Sequence, residues 1–172
     1  MLFRSVLVKH YGYTRIQFSA PIRAAYTGLA EAVGHVPDTI HRCLEGDLKE
    51  TPVHPLPFSY RQFAVGVGTH WARRTVSDKT WVDIWCETVN AALREGKRIV
   101  ADDLRFSNEA ALVPYMMTVV RLSMMDESPD PTKVEGLLAG YEADWMFTND
   151  ETPSHLRLKV HEWAQSPKPP RL

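Results

Sequence analysis

Apolar stretches of two kinds alternate along the chain. Short runs with period-2 or continuous hydrophobicity predict strands at "TRIQFS" (Thr14 to Ser19), "KRIVAD" (Lys97 to Asp102), "MMTVVRLSM" (Met116 to Met124) and "DWMFTN" (Asp144 to Asn149). Helical spacing predicts "APIRAAYTGLAEAV", with Ser19 as its cap, Pro21 in its first turn and Gly34 as its left-handed stop. "YRQFAVGVGTHWARR" reads as a helix weakened by Gly66 and Gly68. In the next helix Ser77 is the cap, Trp81, Val82, Trp85, Val89, Ala92 and Leu93 recur on one face, and Gly96 ends it. "SNEAALVPY" and "KVEGLLAGYE" are short helices, and Thr152 with Pro153 opens a last one carrying Leu156, Val160 and Trp163 on one side.

Between these elements, residues 35–58 hold four prolines and no sustained periodicity, which predicts an irregular insert. A stretch that long without regular structure is usually functional or mobile. Strands alternating with helices place the chain in the α/β class, as a single domain over residues 1–164 with a flexible tail at 165–172.

Composition narrows the function classes. With 172 residues the chain can bury a real core, and its 44% hydrophobic and 24% charged content is that of a soluble globular protein. A net charge of −1 gives no argument for nucleic acid or a membrane surface as partner. Cys43 and Cys86 lack the close pairing of a zinc or redox motif and read as free thiols of a reducing cytoplasm. "MLFRSVLVKH" has neither the apolar core nor the cleavage site of a secretory leader, and no window reaches the ~18 apolar residues of a membrane span. The expected location is the cytoplasm.

Candidate chemistry concentrates in two places. Ligands of parallel α/β sheets sit beyond the carboxyl ends of the strands, and Asp102, Asp103 and Arg105 follow "RIV" at such an end. Carboxylates there can hold Mg²⁺, orient a hydroxyl or anchor a basic side chain, and an arginine can grip a phosphate. The same spacing also suits a turn capped by an aspartate, with Arg105 paired to Glu109 four residues on. Arg61, Arg73 and Arg74 surround "GVGTHW" and suit a small anion, or simply a solvated helix face. Trp81 and Trp85 share a helical face and read as core. The seven histidines show no metal spacing, so no metal is assigned to them.

Several blocks, in order, resemble one family. These are "HYGYTRIQFSAPIRAA", "KETPVHPLPFSYRQFAVGVGTHWAR", "WVDIW", "ADDLRFSNEA" and "DWMFTND", over about residues 9–163. They look like the phage-type deoxynucleoside monophosphate kinases, which are P-loop phosphotransferases. The resemblance implies a three-layer fold with a mostly parallel sheet, and phosphoryl transfer from ATP with Mg²⁺ to a deoxynucleoside monophosphate in the cytoplasm of a phage host. It implies that Pro21, Arg23, Lys49, Arg61, Thr69 and Trp81 line the monophosphate side, with Asp102 and Glu109 in the acceptor wall. Asp103, Arg105 and Arg73 would then act at the reaction centre.

The chain departs from that family at its start. The family opens with a strand running into G-x-x-x-x-G-K-[DST], and the matched blocks put Met1 just past that lysine. The resemblance therefore implies a kinase, or a truncated form of one, with the first strand and P-loop missing or replaced. "MLFRSVLV", rich in β-favouring residues, is a candidate replacement strand. Loss of the central strand would leave an open sheet edge for a second copy or a partner chain to cover. The alternative implied is a catalytically inactive, kinase-like nucleotide-binding or protein-interaction module. A smaller departure is Val65, where the family motif has glutamine.

Overall fold

The computed structural model describes residues 2–111, 120–123, 145–148 and 152–165. The chain divides into two compact units, one formed by residues 1–16 and 88–172, the other by residues 17–87.

The first unit opens with helix α1 (Leu2–Tyr11), so "MLFRSVLV" is not a replacement strand. Its β-favouring composition is overridden by a helical stripe: Phe3, Val6 and Leu7, at i, i+3 and i+4, are buried with Leu156, Val160 and Ala164 of the last helix, α7 (Pro153–Gln165). Burial of each of the larger side chains contributes about 1.5–3 kcal/mol. Tyr11 adds a polar lock between the two helices, its hydroxyl lying 2.9 Å from His161 Nδ1 and 3.2 Å from the His161 carbonyl oxygen.

Gly12, at φ +66°, turns the chain from α1 into β1 (Tyr13–Arg15), a conformation that favours glycine. Strand β1 pairs in parallel with β2 (Arg98–Val100), Tyr13 opposite Arg98 and Arg15 opposite Val100. The Ile16 amide extends the ladder by donating to the Val100 carbonyl at 3.0 Å. Strands β3 (Val120–Ser123) and β4 (Trp145–Thr148) form a second parallel pair. Tyr13 and Val100 of one pair and Phe147 of the other pack against the α1–α7 core.

The second unit contains α2 (Ala20–Ala32), α3 (Pro37–Glu45), α4 (Tyr60–Val65) and a π-helix, π1 (Gly66–Val76). Helix α5 (Thr80–Arg94) begins here and ends in the first unit. The core of the second unit gathers Tyr26, Ala30, Ile40, Cys43, Leu56 and Tyr60. Phe18 stacks on Trp85 with ring centroids 4.4 Å apart, and both are buried.

Two expectations are corrected here. Residues 35–58 are not irregular throughout, because α3 occupies nine of them. Its proline stands at the first helical position, where no amide hydrogen is needed, and Ile40 and Cys43 bury one short face. The weakened helix at "GVGTHWARR" is a π-helix, a form rare beyond single turns. Gly68 and Ala72 are its buried positions, so its backbone comes close to Ile22 and Trp81. Among the described residues the parallel strands form two two-stranded pairs. The runs that pair are three or four residues long.

The mixed α/β class stands, with helix predominating over short parallel strands. The predicted helix at "KVEGLLAGYE" and residues 166–172 of the tail lie outside the described residues. Among the described residues no helix is long and apolar enough to cross a membrane.

Candidate functional site

The loop after β2 is organised by two carboxylates with different tasks. Asp102 faces two arginines. Arg15 Nε and Nη2 each donate to one of its oxygens at 2.9 Å, and Arg4 Nη1 lies 3.2 Å from Oδ2. The register explains the first contact, since Arg15 ends β1 opposite Val100 and Asp102 follows two residues later. Arg4 comes from the first turn of α1. The Asp102 side chain is only 9% exposed, while those of Arg4 and Arg15 are 24% and 29% exposed.

Glu109 is turned onto the backbone. Its Oε2 accepts from the amides of Arg105 at 2.8 Å and Phe106 at 3.1 Å, and the residue is 2% exposed. The carboxylate thereby satisfies two donors at the start of the short helix α6 (Ser107–Ala110). The predicted Arg105–Glu109 pair thus runs through the Arg105 main chain, with its guanidinium left without a partner among the described residues. Asp103 is half-buried and makes contacts of its own.

The other predicted site residues belong to the second unit. Pro21 lies in the first turn of α2. Arg23 bonds Glu45 at 2.5 Å and lies over the Tyr60 ring at 5.9 Å from its centroid. Arg61 Nε donates to Glu50 Oε1 at 2.9 Å, and its amide bonds the Lys49 carbonyl, tying α4 to the turn before it. Thr69 sits half-buried in π1, and Arg73 Nη1 donates to the Asp78 carbonyl at 3.2 Å. Arg74 reaches the exposed ring of His70 at 3.3 Å. Trp81 is buried and donates its indole N–H to the Gly68 carbonyl at 2.8 Å, which makes it a strut between α5 and π1.

Arg4 and Arg15 were not among the residues singled out from sequence. The signal for Arg15 was the β1–β2 register, which no local pattern contains. Neither thiol is disulfide-bonded among the described residues. Partial burial, with Asp83 and Glu87 nearby, pushes the Cys86 thiol up, away from the reactive thiolate form.

Two carboxylates of this loop are engaged by the protein itself. Both oxygens of Asp102 are held by guanidinium groups, and Glu109 Oε2 accepts from two backbone amides. Among the described residues no three His, Cys, Asp or Glu side chains gather as metal ligands. The 172 residues contain no G-x-x-x-x-G-K loop to cradle donor phosphates. Compared with protein-family models, curated proteins and solved structures, the chain matches none.

Proposed function

We propose that the chain is a nucleotide-binding α/β domain of the deoxynucleoside monophosphate kinase type, and that it carries the acceptor side of that chemistry. The observation that carries this reading is the composition of the loop after β2. A parallel strand ends in Asp102, Asp103 and Arg105, and a helix start pinned by Glu109 holds that loop in place. The order of the sequence blocks, from "HYGYTRIQFSAPIRAA" to "DWMFTND", supports the same reading, as does the presence of parallel strand pairs. A three-layer fold around one parallel sheet belongs to this proposal, with the two pairs as its parts. In a kinase of this type Arg61, Arg73 and Arg105 would hold phosphate and offset the charge that develops on transfer.

Calorimetry with dGMP, dTMP and ATP tests it. The expected result is binding of at least one monophosphate by the 172-residue chain. No heat with either monophosphate refutes the nucleotide reading. A second reading, binding without turnover, is favoured by the commitment of Asp102 to two guanidinium groups. A coupled assay for ADP formation separates the two. Steady turnover with ATP, Mg²⁺ and a monophosphate establishes the kinase, and monophosphate binding with no ADP establishes the non-catalytic binder.

A further inference from the structure

Helices α1 and α7 bring two histidines together from opposite ends of the chain. The ring centroids of His10 and His161 are 5.2 Å apart, with the ring planes at 61°. Two imidazoles sharing one tetrahedral Zn²⁺, each nitrogen about 2.0–2.1 Å from the ion, have ring centroids roughly 5 Å apart. The tautomer of His161 follows from Tyr11, whose hydroxyl lies 2.9 Å from His161 Nδ1 and 3.2 Å from the His161 carbonyl oxygen. A phenol has one proton. Both contacts are therefore hydrogen bonds only when the O–H donates to the carbonyl and Nδ1–H donates to the phenol oxygen. Nε2 then carries the free lone pair. Metal-ligating histidines show this arrangement, the other ring N–H being given to an acceptor that fixes tautomer and orientation. Tyr11 is itself held, packed against the α1–α7 core. His10 is exposed and makes no hydrogen bond among the described residues, so its ring can turn a nitrogen toward the same point. It also stands in the last turn of α1, where the helix dipole favours a cation. Neither imidazole has a carboxylate partner among the described residues. Lys9 and Glu162 adjoin the pair in sequence, and the Arg98 guanidinium is engaged by the Tyr11 carbonyl and the Tyr13 ring.

We propose that His10 and His161 form a site for a divalent transition-metal ion that favours imidazole, of the Zn²⁺ class, with water completing the coordination. Tyr11 is the positioning residue, and a bound ion ties α1 to α7. Mg²⁺, which takes oxygen ligands, is not its ion. The two ligands are far apart in sequence, so no local histidine spacing announces them. The site uses none of the side chains of the loop after β2, and it does not depend on the nucleotide reading.

The test is calorimetry of the full chain with Zn²⁺, together with melting followed by circular dichroism with and without the ion. Zn²⁺ is expected to bind and to raise the melting temperature, since an ion that binds only the folded chain stabilises it. In proton NMR the ring signals of His10 and His161 should shift together as Zn²⁺ is added, which marks this pair among the seven histidines. His10→Gln removes one ligand at an exposed position that holds no hydrogen bond, so it should fold as the parent does. It is expected to weaken Zn²⁺ binding at least about tenfold and to lose the rise in melting temperature. Tyr11→Phe keeps both ligands but releases the His161 ring, and weakening of about tenfold is expected. If Tyr11→Phe does not fold, His10→Gln decides. No heat with Zn²⁺, or Zn²⁺ bound equally by the parent and by His10→Gln, overturns the proposal and leaves the ring contact as packing between helices. An equal rise in melting temperature with Mg²⁺ overturns it as well. Tyr11→Phe binding Zn²⁺ as tightly as the parent overturns the positioning role of Tyr11.

Discussion

Replacing Glu109 separates a structural carboxylate from a ligand-binding one. Glu109→Gln keeps the shape of the side chain and removes the charge that two amides share, those of Arg105 and Phe106 at 2.8 and 3.1 Å. Hydrogen bonds to a charged acceptor contribute about 1.5–3 kcal/mol each, and a neutral amide oxygen recovers part of that, so the expected loss is about 2 kcal/mol. Glu109→Ala leaves both donors without an acceptor at a site only 2% exposed. At about 1–3 kcal/mol for each unmet buried donor, its cost is about 3–4 kcal/mol. For a chain of this size about 1 kcal/mol moves the melting temperature by roughly 2–4 °C. Melting followed by circular dichroism should therefore fall by about 4–8 °C for the glutamine variant and about twice that for alanine. Hydrogen exchange should show the Arg105 and Phe106 amides opening faster than in the parent. Melting of both variants within about 2 °C of the parent, with those two amides equally protected, would refute the capping role. Glu109 would then be available to a ligand, as the kinase resemblance implies.

Three further outcomes follow from the second unit. Adding a Cβ at Gly68 brings it to 2.9 Å from Ile22 Cδ1, so Gly68→Ala should destabilise by about 1–2 kcal/mol, and Ile22→Val in the same chain should restore part of it; strictly additive effects in denaturant titrations would show the contact is not responsible. Trp81→Phe strands the Gly68 carbonyl and should cost about 1–3 kcal/mol by the same measurement, a cost below about 0.5 kcal/mol ruling out the strut. Burial, foremost, and the Cys43 thiol beside it push the Tyr26 phenol well above its ordinary value. Above pH 10 the unfolded chain therefore gives up a proton that the folded one keeps, and stability should fall with rising pH. Tyr26→Phe should lessen that alkaline slope, and should cost little at neutral pH because the buried hydroxyl has no hydrogen-bond partner among the described residues; an unchanged slope would contradict the assignment.

What was legible in the sequence follows from how local each signal is. The Leu156–Val160 face of α7 and the Trp81–Trp85 face of α5 were readable because helical periodicity repeats every turn and survives noise. Gly34 and Gly96 marked their helix ends because both take positive φ. Helix α1 was missed where β-favouring side chains outweighed a single stripe of three residues. That stripe is decisive only once α7 is there to bury it. Helix α3 was hidden by prolines that break a helix inside but are tolerated at its first position. The π-helix had only its two glycines as a signal, since i+4 and i+5 spacings are indistinguishable over so few residues.

The site shows the same division more sharply. From sequence, Asp102, Asp103 and Glu109 are three equivalent carboxylates within eight residues, each able to serve a metal, a ligand or a turn. Their physical difference lies in what reaches them. Glu109 is claimed by amides three and four residues earlier, a contact inherent in the local helix start and therefore predictable in kind. Asp102 is claimed by Arg15, 87 residues away, through a strand register, and by Arg4 through the placement of α1. No local pattern encodes either contact. That long-range contact changes what Asp102 offers: a carboxylate that could have served a cation is held by two guanidinium groups. A cation at Asp102 would first have to displace both arginines.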